Sequence, residues 1–241
     1  LRLADNALVS GQRLGEWVTK APELEEEMAL ANFALDYVGQ ARMLFSYAAE
    51  VEGRGRDEDQ LAFLRDQIDF RNILLVEQPN GDFGQTIARQ FLFLSAYQFL
   101  LDALTHSSDQ RLAEIAARAV KEVRYQLRHT RQWLIRLGDG TDESQRRMQA
   151  GIDGLWRYTG EMFAGDKIDA WAVQEGVGPD PASLHDAWLD YVQAALAEAT
   201  LTMPADEWMD GGGKRGRHSE HLGYLLAEMQ YLQRAYPGAK W

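Results

Sequence analysis

Between Leu112 and Leu137, Ile115, Ala119, Val123, Gln126, Thr130 and Trp133 recur at three- and four-residue steps, a period that fits an α-helix with one buried face. The stripe is not purely apolar. Glu122, Tyr125 and His129 stand beside or within it, where a plain bundle helix would carry leucine. In four-helix bundles that hold two iron ions, an inward carboxylate opens a Glu-x-x-His pair, whose i, i+3 spacing puts both ligands on one helix face. Here the four residues read Glu122-Val123-Arg124-Tyr125, with tyrosine where the histidine would stand.

The rest of the chain reads as all-α. Residues Leu3 to Thr19 predict a first helix. A second runs from Pro22 to about Val51, with Glu23, Glu25, Glu26 and Glu27 at its start, where the helix dipole favours negative charge, and Gly53-Arg54-Gly55 at its end. Its inner stripe is read as Met28, Asn32, Leu35, Asp36, Gly39 and Met43, which aims a second carboxylate, Asp36, at the bundle. Asp57 caps a short helix through Phe63. Pro79-Asn80-Gly81 marks a turn before a helix from Phe83 to Thr105 that is apolar almost all round. Ser107, Ser108 and Asp109 offer caps for the Leu112 helix, and Thr141 caps a helix expected to reach Phe163. Shorter elements follow near Ala170 and from Ser183 to Ala199. The stretch Gly211-Gly212-Gly213-Lys214-Arg215-Gly216-Arg217 reads as a flexible basic loop ahead of one last helix, from Ser219 to Ala235. Sustained period-two alternation is absent, the four residues Ile73 to Val76 being too few to separate strand from helix.

A di-iron site needs hard oxygen ligands and imidazoles in one dry cavity, usually drawn from four helices. The five histidines are His106, His129, His185, His218 and His221, and none has an acid three residues before it. Glu16, Asp36 and Glu122 could all face inward, but three acids without a paired histidine make a poor iron site. Glu122 is read rather as a buried carboxylate satisfied by an arginine such as Arg13 or Arg42, by Tyr125, or by a buried tyrosine elsewhere. His129 reads as a core or rim histidine. His218-x-x-His221 with Glu220 resembles half a metal site at a helix start. The glycine-rich loop lacks the order of a phosphate loop, so ATP binding is not indicated, although Lys214, Arg215 and Arg217 could hold a phosphate or a partner's carboxylates. No Gly-x-Ser-x-Gly elbow occurs.

Composition narrows the partners. Lys plus Arg number 25 against 37 Asp plus Glu, a net charge of −12, which opposes nonspecific binding to nucleic acid or to an anionic membrane. Proteins are the expected partners. With no cysteine there is neither disulfide nor thiolate metal site, as in a cytoplasmic protein, and the longest uncharged run, Gln90 to Leu101, falls short of the roughly 20 residues of a membrane helix. At 241 residues and 46% hydrophobic, residues 1–241 are expected to form a single domain.

Several ordered strings carry a family resemblance. Leu14-Gly15-Glu16-Trp17, Gly39-Gln40-Ala41-Arg42, Leu75-Val76-Glu77-Gln78-Pro79-Asn80-Gly81, Lys121-Glu122-Val123-Arg124-Tyr125 and Leu226-Ala227-Glu228-Met229-Gln230-Tyr231 resemble the C-subunit family of bacterial phenylacetyl-CoA epoxidases. The resemblance implies a ferritin-like four-helix-bundle core with additional helices. It also implies a partner, the catalytic A subunit with its di-iron centre, which epoxidises the substrate ring in phenylacetate catabolism, and further subunits of that complex. On this reading the present chain is a structural subunit with no catalytic residue and no cofactor of its own. Asp36 with Gly39 and Glu122 with Tyr125 would then be relics of ligand pairs, while Lys214, Arg215 and Arg217 would be a candidate contact for CoA phosphates or a partner. A homodimer contact is a further candidate. The competing class is a self-sufficient di-iron oxygenase or an iron-binding ferritin-like protein.

Overall fold

The computed structural model describes residues 1–205 and 208–239. In chain order the α-helices are α1 (Arg2–Gly15), α2 (Leu24–Glu52), α3 (Glu58–Phe63), α4 (Leu74–Glu77), α5 (Phe83–Leu104), α6 (Gln110–Gly138), α7 (Asp142–Trp156), α8 (Lys167–Gln174), α9 (His185–Glu198), α10 (Glu220–Met229) and α11 (Tyr231–Ala235), and there is no strand among the described residues. Of the run Ile73 to Val76, Ile73 is the extended residue before α4 and Leu74 to Val76 are helical. The residues group into two compact units, Leu1–Pro79 with Gly211–Trp241, and Asn80–Asp210.

In the first unit α1 lies along α2, and it is buried almost all round through Ala4, Ala7, Leu8, Val9 and Leu14. On α2 the buried positions are Leu30, Phe33, Tyr37, Gln40, Ala41, Leu44 and Phe45, which follow the helical period. This corrects the inner stripe expected from the sequence. Met28 and Leu35 are 59% and 69% exposed, Asn32 and Gly39 are exposed, and Asp36 is half-buried. Apolar residues ring this helix, so its periodicity did not single out the face that α1 covers. Asp57 caps α3 through Gln60 N–H at 2.8 Å, and the Gln60 amide reciprocates to Asp57 N–H at 3.1 Å. Arg65, just beyond α3, is buried between the rings of Phe45 and Phe70, and it pairs with Asp5 of α1 through two contacts, one of them 3.1 Å.

The returning segment docks on residues 68–73 of this unit rather than forming the flexible loop expected. A side chain at Gly213 would put its Cβ 2.1 Å from Asn72 O. Gly216, at φ 82°, would put one 2.2 Å from Ile68 O. The final helix is also divided: between α10 and α11 the buried Gln230 turns its amide to Ala62 O and Arg65 O, at 3.1 and 3.0 Å, satisfying carbonyls at the end of α3.

The second unit is built around α5, whose buried residues include Ile87, Ala88, Phe91, Leu92 and Leu94, and which packs against α6, α7 and α9. Asp109 caps α6 through Leu112 N–H at 3.0 Å, and Thr141 caps α7 through Ser144 N–H. Helix α7 stops at Trp156, not Phe163. There the Thr159 hydroxyl donates to Trp156 O at 2.8 Å, and a 3-10 turn over Gly160–Met162 takes the chain away. The turn brings Phe163 to the Trp188 ring, centroids 4.9 Å apart, beside a stacked Trp156–Trp188 pair at 5.5 Å. Trp188 is anchored by its indole N–H, which donates to Ser95 Oγ of α5 at 2.9 Å.

Candidate functional site

The inner face of α6 is the one the period predicts: Ile115, Ala119, Val123, Gln126 and Thr130 are buried, and Trp133 meets the edge of Phe83 at 5.1 Å. Glu122 sits at the border of that face. Its side chain is 25% exposed and lies 3.7 Å from Arg118 Nε, one turn earlier. Tyr125 leaves the stripe altogether. It is 54% exposed, with the Arg128 guanidinium 5.3 Å from its ring centre. His129 is half-buried. The buried tyrosine nearest in electrostatic terms is Tyr97 of α5, whose phenol is pushed up in pKa, first by burial and then by the charge on Glu122.

The arginines proposed as partners of Glu122 have other engagements. Arg42 reaches Glu58 at 3.3 Å, while Arg13 donates to the main-chain oxygen of Glu77 at 2.7 Å and to Glu16 at 2.8 Å. Glu16 is the half-buried residue that follows α1. On α2, Asp36 is followed three residues later by Gly39, which has no donor atom beyond its backbone. Among the described residues no group of three or more His, Cys, Asp or Glu side chains could hold a metal ion. Three residues after Glu122 stands Tyr125, which is exposed.

The most elaborate polar cluster lies elsewhere, in the first unit, and pairing motifs along the chain did not reveal it. Glu77, fully buried, accepts from Asn72 Nδ2 at 2.8 Å and Ser219 N–H at 2.6 Å, and its Oε2 lies 2.8 Å from His218 Nδ1. His218 Nε2 faces Phe70 O at 3.0 Å. A carbonyl only accepts, so Nε2 carries a proton, while Nδ1 and the carboxylate share another. His218 is thus not half of a metal pair with His221, because both its ring nitrogens are engaged. Glu77 and His218 are 141 positions apart, beyond any spacing rule, and only the turn signal after Glu77 hinted at a fixed conformation there.

Directly before His218, the docked loop presents its cations. Arg215 and Arg217 are exposed and Lys214 is half-buried. They decorate a surface fixed by Gly213, Gly216 and the buried Glu77–His218 contact, and nearby Arg71 is tied to Ile68 O and Phe70 O at 2.6 Å each. No described helix is long and apolar enough to cross a membrane.

An all-α chain of ferritin-like fold is the class that these elements define: over residues 1–241 the sequence matches the family described as phenylacetic acid catabolic protein, and the chain belongs to that family. Among curated proteins it is 54% identical, over 241 residues, to the C subunit of 1,2-phenylacetyl-CoA epoxidase from Escherichia coli (strain K12). The alignment takes in 100% of this chain and 97% of that relative.

Proposed function

We propose that this chain is the C-type subunit of a multicomponent phenylacetyl-CoA 1,2-epoxidase in aerobic phenylacetate degradation, and that its part is structural: it supports the catalytic A subunit, which holds the di-iron centre. The observation that carries this is the identity of 54% to the C subunit of an epoxidase along the full chain. A second observation favours the non-catalytic role over a self-sufficient oxygenase. The positions read as relics, Asp36 with Gly39 and Glu122 with Tyr125, supply two carboxylates and no imidazole, and Glu122 lies 3.7 Å from Arg118 on its own helix.

Two measurements test the proposal together. Elemental analysis of the purified chain is expected to find no stoichiometric iron; two tightly held iron ions per chain would favour the oxygenase alternative. Co-expression is expected to raise the soluble yield and turnover of the catalytic subunit. If that subunit is equally soluble and active without this chain, the structural role is wrong.

A further inference from the structure

A helix that is apolar all round is stable only when covered all round, because each face left to water forfeits its burial free energy. Helix α2 carries polar residues as well, but it has apolar residues on two sides. Its inward side is filled by Leu30, Phe33, Tyr37 and Leu44, packed within its own unit. Its other side carries Leu24, Met28, Leu35 and Val38, which are 68%, 59%, 69% and 40% exposed and which the helical period of 100° per residue gathers into one continuous strip. Gly39 adds a place on this strip where nothing comes within 4 Å of a would-be Cβ, leaving the backbone open to close approach. Helix α1 reaches the strip at Val38, whose Cγ2 lies 3.4 Å from where a Cβ on Gly11 would stand, while Leu24, Met28 and Leu35 stay more than half exposed.

We infer that this strip of α2 is a docking surface for a helix of a second, different subunit, whose own apolar stripe is flanked by lysine or arginine. Charge selects that occupant. Glu25 and Glu27 border the strip on its two edges, and Arg42, the cation on the same side, is already drawn to Glu58 at 3.3 Å. A second copy aligned in parallel would set glutamates against glutamates, and one aligned antiparallel would have to take Arg42 from Glu58, all between chains of net charge −12. A basic-flanked helix meets none of these penalties. In the function proposed above, on which this step rests, that subunit is the catalytic one.

The test is a titration of the catalytic A subunit against this chain, read by co-purification and gel filtration at low and high salt. Leu35→Arg places a cation at the centre of the strip and is expected to weaken the complex by roughly 30-fold or more, as a central interface position does. Val51→Arg, on α2 but off the strip, is expected to leave it unchanged, and helical circular dichroism shows that both variants fold. Glu25→Lys with Glu27→Lys is expected to weaken binding about 10-fold at low salt and by much less in roughly 0.5 M salt. If the parent chain binds the A subunit and Leu35→Arg binds equally well, the strip is not the docking surface although the functional proposal stands. If the parent chain does not bind the A subunit at all, the functional proposal itself fails. A chain that dimerises alone, and loses the dimer on Leu35→Arg, overturns the choice of occupant in favour of a second copy.

Discussion

Glu77 shows what a single buried side chain can decide. Its carboxylate takes two N–H donors and lies 2.8 Å from His218 Nδ1, so both its oxygens are engaged at a fully buried position. Truncation to Ala removes the partner of His218 Nδ1 and of the Ser219 N–H, and leaves the Asn72 amide with Ile73 O at 3.2 Å. Glu77→Ala is therefore expected to cost about 3–5 kcal/mol in urea unfolding, the range for breaking a buried ionic contact from one side. Tyr97 gives a different dependence. Burial and the charge on Glu122 hold its phenol protonated in the fold, whereas the unfolded phenol ionises near pH 10. Above about pH 10 the unfolded chain binds fewer protons than the native one, so stability falls as pH rises, by up to about 1.4 kcal/mol per pH unit from this one group. Below that pH both states are neutral and the group contributes no slope. Tyr97→Phe is expected to remove this portion of the alkaline decline, a difference that paired denaturation curves at about pH 9 and 11 would show.

Elements differ in how much of them a sequence discloses. Helix starts were legible, since a cap acts through its immediate neighbours: Asp57, Asp109 and Thr141 each bond to a backbone N–H three residues on, as their spacing from the first helical turn implies. Helix ends and faces were less so. Helix α7 stops at Trp156 because the chain turns to pack Phe163 on Trp188, a contact with a residue of α9, and the division between α10 and α11 answers carbonyls of α3. The apolar side of α2 was recognised as a stripe and assigned to the wrong environment, for hydrophobicity records that a face is to be covered and not by what. The loop of Gly211 to Arg217 was misread for a related reason. Glycines there signify close approach rather than freedom, and Gly213→Ala is expected to undock the segment, with faster amide exchange confined to residues 211–219 and the neighbouring 68–73.

For the molecule as a whole, charge is the dominant surface property, and the cations of the docked loop stand against it. Arg215→Glu with Arg217→Glu changes exposed residues only, so stability is expected to move by less than about 0.5 kcal/mol. If the loop meets CoA phosphates or a partner's carboxylates in the assembled epoxidase, the pair is expected to raise the Michaelis constant for the acyl-CoA or to weaken assembly. Unchanged values for both would make the loop a solvated connector. The all-α class was legible from period alone and the family from ordered strings, while the Glu77 cluster was not, because Glu77 and His218 are 141 positions apart. That separation bears on the time course of synthesis. Residues 80–210 form their unit from one uninterrupted stretch, but the unit holding Leu1–Pro79 lacks its closing piece until Gly211 onward has been made. With His218 141 positions behind Glu77, and translation at roughly 5–20 residues per second, the carboxylate waits on the order of 7–28 s for its partner. During that interval the first-made third of the protein is its most exposed part, and an early-acting chaperone or the nascent partner subunit would find its binding window there.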